Sequence, residues 1–109
     1  MTTLVEYIRK ARKDQSIKAI VLHVDSPGGA TVASDVIWRE LMQVQTGPNA
    51  RPLVASMSDL AASGGYYIAM AAPYIVAQPG TLTGSIGVIT GKFVTGPFIS
   101  NPAWPNIFP

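Results

Sequence analysis

"IKAIVLHVDSPGG", residues 17–29, sets an apolar, β-branched run directly against a proline and a pair of glycines. The run from Ile17 to Val24 is long enough for a strand and too short for a helix. Its apolar character suits a strand buried in a parallel sheet. "DSPGG" ends it sharply, because proline removes a backbone donor and glycine admits conformations closed to other residues. Beyond the turn Val32, Ala33, Val36, Ile37 and Leu41 recur at helical spacing, which predicts a helix over 31–45.

The same alternation extends in both directions. Upstream, Leu4, Val5, Ile8 and Ala11 predict an amphipathic helix over 2–13, turned by "DQS". Downstream come a loop "TGPNARP" (46–52), a strand "LVASM" (53–57), a helix "ASGGYYIAMAA" (62–72) and a strand "YIVAQ" (74–78). The turn-rich "PGTLTGSIGVITG" (79–91) holds one more short strand. Alternating strands and helices with short connections predict an α/β fold, a parallel sheet with β-α-β crossovers. The strands near 18–24, 53–57 and 74–77 are expected to lie parallel. After Lys92 the pattern fails: "FVTGPFISNPAWPNIFP" carries four prolines and no period. The reading is a partial core domain over 1–92 and an irregular proline-rich tail over 93–109.

The 109 residues amount to one domain or part of one. Apolar residues make up 48% and charged ones only 13%, against about 25% charged in an average soluble domain. A chain so poor in charge is expected to bury surface against further copies or further chain, so a homo-oligomer is expected. Net charge is +2, and Arg9, Lys10, Arg12, Lys13 and Lys18 lie together near the start. Cations closing a helix explain that cluster better than a nucleic-acid footprint, which needs polar or aromatic readers beside it. No nucleic-acid partner is expected. The absence of cysteine excludes disulfides, thiolate metal sites and a cysteine nucleophile. No apolar run reaches the length of a membrane span, so any anchor is expected outside this chain.

Chemistry in an open parallel sheet gathers beyond the carboxyl ends of the strands. "SPGG" (26–29) and "AASGG" (61–65) both fall there, so neighbouring strands bring the two glycine loops to one crevice. Glycine is the poorest ordinary helix former, yet Ser63-Gly64-Gly65 opens a helix. Acyl transfer needs a held nucleophile and two N–H donors aimed at an oxyanion. Ser63 can supply the first, Gly64 one donor, and Gly28-Gly29 the other. The plainer reading makes Ser63 a helix cap and "SPGG" a tight turn. Ser26, Ser56 and Ser58 lack the following glycine pair and are weaker nucleophiles.

"VDSPGG", "ASMSDLAASGGYYIAMAA" and "TLTGSIGV", in this order, resemble the catalytic core of the signal peptide peptidase A family, serine proteases of the ClpP/crotonase fold. The likeness spans about residues 17–92. It implies Ser63 as nucleophile, the N–H groups of Gly29 and Gly64 as the oxyanion hole, and peptide hydrolysis through an acyl-enzyme without metal or cofactor. It implies apolar peptide substrates such as cleaved signal peptides, at the extracytoplasmic face of a bacterial or archaeal membrane. The family's base is a lysine, a residue whose pKa falls readily on burial. The resemblance places it outside this chain. Lys92 is the only lysine after Ser63 and is a possible base, too close behind "GSIGVITG" to match the family's position.

His23 and Asp25 suggest a triad with Ser63. His23 falls inside the first strand, however, so a core or partner-bonded histidine is expected. Asp25 could cap the second helix or brace "SPGG", and Asp59 could brace the turn before Ser63. Tyr66 and Tyr67 read as core or interface residues. Two other functions stay open: a crotonase-type acyl-CoA enzyme, which uses two such N–H donors without a serine, and a peptide-binding or assembly module that does not cut.

Overall fold

A computed structural model describes residues 2–91. Lys92 and the expected irregular tail, 93–109, lie outside the described residues. The elements run α1 (Thr2–Lys13), β1 (Ile20–Ser26), α2 (Thr31–Val44), β2 (Leu53–Ala62), α3 (Gly64–Ala69), β3 (Tyr74–Val76) and β4 (Leu82–Gly84). β2 is the centre of the sheet, with parallel pairing to β1, to β3 along its first half and to β4 along its last residues. This is the α/β architecture with a parallel sheet that the strand–helix alternation predicts, consistent with the ClpP-like fold that the resemblance implies.

The register explains which residues form the core. Ile20, Leu22 and Val24 pair with Leu53, Ala55 and Met57, and this face of the sheet packs beneath the helices. Leu41 and Val44 of α2 and Ala69 of α3 are fully buried against it, and Ile8 of α1 joins the same cluster. Burying each large aliphatic side chain contributes about 1.5–3 kcal/mol. The other face carries Val21, Val54 and Tyr74 in one row and His23, Ser56 and Val76 in the next. Val21 is 68% exposed and Tyr74 73%, so among the described residues the helices cover only one side. An all-parallel sheet is ordinarily covered on both faces. His23 therefore points away from the helix-covered core, and the expected core histidine is corrected: the strand is half-covered, not enclosed.

β1 runs over Ile20–Ser26 rather than 17–24 and β3 stops at Val76, and two further boundary differences matter for the site. β2 does not stop at Met57 but continues to Ala62. Between the Val24–Met57 and Ser26–Ala61 pairs β1 advances by two residues and β2 by four, a bulge. Such bulges gather beside active sites, where they re-aim a strand. The extension is held by β4 and the residue before it: Thr81 Oγ1 donates to the Ser58 carbonyl (2.7 Å) and Thr83 Oγ1 to the Ala61 carbonyl (2.7 Å). α3 is shorter than expected, six residues rather than a run to 72. Its end tightens through Ala71 N–H to Ile68 O (3.2 Å) and Ala72 N–H to Ala69 O (3.1 Å). Pro73 then keeps Ala72 out of helical geometry.

Candidate active site

Ser63 is the single residue between the end of β2 and the start of α3. Its backbone sits at φ 50°, ψ −117°, a conformation that costs a non-glycine residue about 1–3 kcal/mol. The turn is held from both sides. The Ser63 N–H donates to the Gly84 carbonyl (2.8 Å), and the Ser63 carbonyl accepts the Tyr67 N–H (2.9 Å). The side chain makes no capping hydrogen bond. A capping serine has extended backbone and spends its oxygen on the helix, so the plain cap reading fails. Strain of this kind persists where surrounding structure imposes it, commonly at functional sites.

The "SPGG" loop is pressed against this turn. Gly28 has φ +121°, and a Cβ there would lie 2.8 Å from Ser63 Cβ and 3.0 Å from Gly64 N. A Cβ on Gly64 would lie 2.5 Å from Ser34 Oγ and 3.0 Å from Gly29 N. Gly65 is equally confined, with the Ser26 carbonyl 2.8 Å from where its Cβ would be. These contacts answer why glycine opens α3: the backbones of two loops occupy the space that side chains would need. Gly29 has nothing within 4 Å of its Cβ position, so a side chain there would meet open space.

Ser63, Gly29 and Gly64 line one cavity of about 190 Å³, with Ser34, Tyr67 and Ile86 among its other walls. The three residues singled out from the sequence are thus brought together. A groove continues past Ser63 along Pro27 and Ser85–Ile89. Tyr66 packs against the core cluster as expected, and both it and Tyr67 also line the cavity.

The expected braces are corrected. Among the described residues neither Asp25 nor Asp59 supplies a side-chain hydrogen bond, and both are exposed. The loop is braced by Ser26, whose Oγ accepts the Gly28 N–H (3.1 Å), and the turn by the Gly84 carbonyl. Nor do His23 and Asp25 join Ser63, since neither is part of its cavity. Lys92 lies outside the described residues.

Sequence reading missed three features of the site. Ser34, buried in the first turn of α2, donates through Oγ to the Ala30 carbonyl (3.2 Å) while lying against Gly64. Ser85 shares the unusual backbone of Ser63, with φ 50°. "TGSIG" contained a signal for it, a serine flanked by glycines next to a predicted strand. The third is a polar link: Tyr67 Oη donates to Asp35 Oδ1 (3.0 Å), and Arg39 Nε donates to Asp35 Oδ2 (2.7 Å). The Arg39 hydrogen bond, then that of Tyr67, holds the Asp35 carboxyl below its usual range. The carboxylate in turn pushes the Tyr67 phenol up. Tyr67 is therefore protonated at neutral pH and unsuited to act as a base. Among the described residues no three histidine or acidic side chains gather as a metal set.

Comparison with known proteins bears on this geometry. The model of peptidase family S49 matches residues 47–99, which include Ser63, Gly64 and the Ile86–Val88 wall. Over this stretch the chain is a match to peptidase family S49. The chloroplastic serine protease SPPA of Arabidopsis thaliana is 53% identical over 90 residues, covering 83% of this chain and 13% of that protein. Protease 4 of Salmonella typhi is 54% identical over 86 residues, 79% of this chain and 14% of that protein. Protease 4 of Haemophilus influenzae is 46% identical over 88 residues, 81% of this chain and 14% of that protein. The chain thus spans about one seventh of the length of these S49 relatives, and the stretch it spans carries the serine turn.

Proposed function

We propose that this chain carries the nucleophile and the oxyanion donors of a serine peptidase acting on small apolar peptides, such as the remnants of cleaved signal peptides. The observation that carries the reading is the strained Ser63, wedged between two glycine loops at a cavity mouth with its hydroxyl free of any cap bond. A crotonase-type acyl-CoA site needs the two N–H donors but has no use for a serine held this way. The protease names of the relatives support the same choice.

In this reading Ser63 Oγ attacks the scissile carbonyl carbon and gives its proton to a base. The carbonyl oxygen becomes an oxyanion and takes hydrogen bonds from the Gly29 and Gly64 N–H groups. Collapse breaks the C–N bond, the amine leaves with the proton returned by the base, and water then hydrolyses the Ser63 ester. Tyr66, Tyr67, Met70, Ile86 and Val88 give the cavity apolar walls, suited to an apolar side chain. The base is a lysine contributed from beyond this chain, with Lys92 as the alternative. The open sheet face supports a homo-oligomer. Membrane association at the extracytoplasmic face belongs to the same reading; no described helix is long and apolar enough to cross a membrane.

Fluorophosphonate labelling tests the reading. A chain extended to the length of its relatives is expected to label at Ser63 and to lose labelling in Ser63→Ala. The 109-residue chain is expected to label only marginally, because a serine without its base is a weak nucleophile. Strong labelling of the short chain that Lys92→Ala abolishes would assign the base to Lys92. Labelling at another serine would overturn the nucleophile.

A further inference from the structure

One wall of the Ser63 cleft is held from outside it. Tyr67 lines the cavity one turn along α3 from Ser63, and its N–H is bonded to the Ser63 carbonyl (2.9 Å). Its hydroxyl is bonded to Asp35 of α2 (3.0 Å), a residue that does not line the cavity. Asp35 is itself fixed by Arg39 (2.7 Å). The Trp38 ring meets the Tyr67 ring edge-on, with centroids 6.2 Å apart and planes at 62°. Tyr67 is thereby tied at both ends, its backbone to the serine turn and its phenol to the neighbouring helix.

We propose that Asp35 is a positioning residue for substrate selection: by pinning the Tyr67 phenol it fixes the width of the cleft beside Ser63 and so the size of apolar side chain the cleft admits. This rests on the peptidase reading above. The cavity, at about 190 Å³, is below the range of about 300–1,000 Å³ typical of small-molecule pockets, which suits one side chain. An apolar pocket selects by size only as far as its walls resist displacement, each methylene being worth about 10–200-fold. A tyrosine ring has two rotatable side-chain bonds. Without the Asp35 acceptor nothing polar holds its far end, and the wall can yield to a larger group.

The test needs binding rather than turnover, so the identity of the base does not matter. The 109-residue chain is titrated with acetyl-alanyl-leucinamide and acetyl-alanyl-tryptophanamide while the amide NMR signals of Gly64 and Gly87, both in the cavity wall, are followed. The leucine peptide is expected to bind more tightly. Asp35→Ala and Tyr67→Phe should each cut that preference about tenfold, and the double variant should go no further than either single one. Asp35→Asn, which keeps an acceptor for the phenol, should retain the preference. Should Asp35→Ala fail to fold, Tyr67→Phe, lacking only the hydroxyl, decides the matter. A lowered melting temperature with an unchanged peptide preference would show a merely structural role and overturn the proposal. So would equal binding of the two peptides to the unaltered chain. If neither peptide moves the Gly64 and Gly87 signals, the peptidase reading of the cleft falls together with it.

Discussion

The two ends of the β1–β2 pair are built by opposite means. At the end where the strands begin, long charged side chains do the joining. Arg51 is buried, and its guanidinium donates to the carbonyls of Ile17 (2.7 Å), Asp14 (2.8 Å) and Arg12. It thus closes the last turn of α1 and the following loop in one residue. Nearby, Arg9 pairs with the buried Glu40 of α2 at 2.5 Å, so part of the basic cluster near the chain start docks α1 rather than only answering its dipole. At the end where the strands finish, Gly28, Gly64 and Gly65 bring backbone against backbone, and Ser63 carries strain. Side chains hold the first end together; their absence shapes the second. The contrast separates what keeps this chain folded from what would let it react.

Substitutions can break that separation, and the largest effect is expected at Gly28. Gly28→Ala puts a Cβ 2.8 Å from Ser63 Cβ at φ +121°, combining overpacking with backbone strain at a cost of about 3 kcal/mol or more. Denaturant unfolding should record that loss. Gly29→Ala, with open space at its Cβ position, should stay within about 0.5 kcal/mol of the parent. Equal costs at the two positions would show that the loops are not in the contact described.

Next comes Arg51→Ala, at the other end. Removing a buried guanidinium takes a donor from three carbonyls, of which that of Asp14 alone keeps another in the Ile17 N–H, and should destabilise the chain by about 3 kcal/mol. Fluorophosphonate reactivity of the extended chain, measured well below its melting temperature, should be unchanged. A proportionate loss of labelling would couple the two ends and break the contrast.

Ser63→Gly should act in the reverse sense. Glycine adopts φ 50° without penalty, so the variant is expected to gain about 1 kcal/mol in unfolding free energy while losing all labelling. Ser63→Ala keeps the Cβ and should lose labelling without the gain. If both variants gain alike, the backbone of Ser63 is not the source of strain.

The smallest effect is the acid dependence of the joined end. The hydrogen bond from Arg9, aided by its charge, holds the Glu40 carboxyl below its usual range despite burial. A depressed folded value means that the contribution is complete above the unfolded value of about 4.3 and is lost as pH falls through the lower folded one. Stability measured between about pH 5 and pH 2 should therefore fall less steeply in Glu40→Gln than in the parent. Identical slopes would remove Glu40 from the lock.

Much of this was legible in the chain itself. Ile17–Val24 and Leu53–Met57 are apolar runs of strand length, and the stripes at Leu4–Ala11 and Val32–Leu41 have helical period, so local pattern was enough for the parallel α/β order. The glycine pairs behind successive strands located the crevice, because nothing but close backbone approach or special geometry explains glycine at a helix start. Ser63 was legible as a candidate for the same reason. Of the two readings of His23 the core one failed, since strand periodicity says which residues share a face but not whether anything covers it.

What only the tertiary structure decided depends on partners far apart in sequence. The extension of β2 past Met57 is possible because β4 and the adjoining Thr81, about 20 residues on, supply the pairing and the two threonine bonds. Arg51 finds carbonyls 34 to 39 positions away, and Tyr67 finds Asp35 at a separation of 32. No local preference foretells which acceptor a long side chain will reach. The sign of φ at Ser63 is of the same kind: serine alone disfavours it, and the packed loops and the Gly84 carbonyl impose it. Local propensity decided the elements and their order, while long-range packing decided where strain is kept and which side chains hold it.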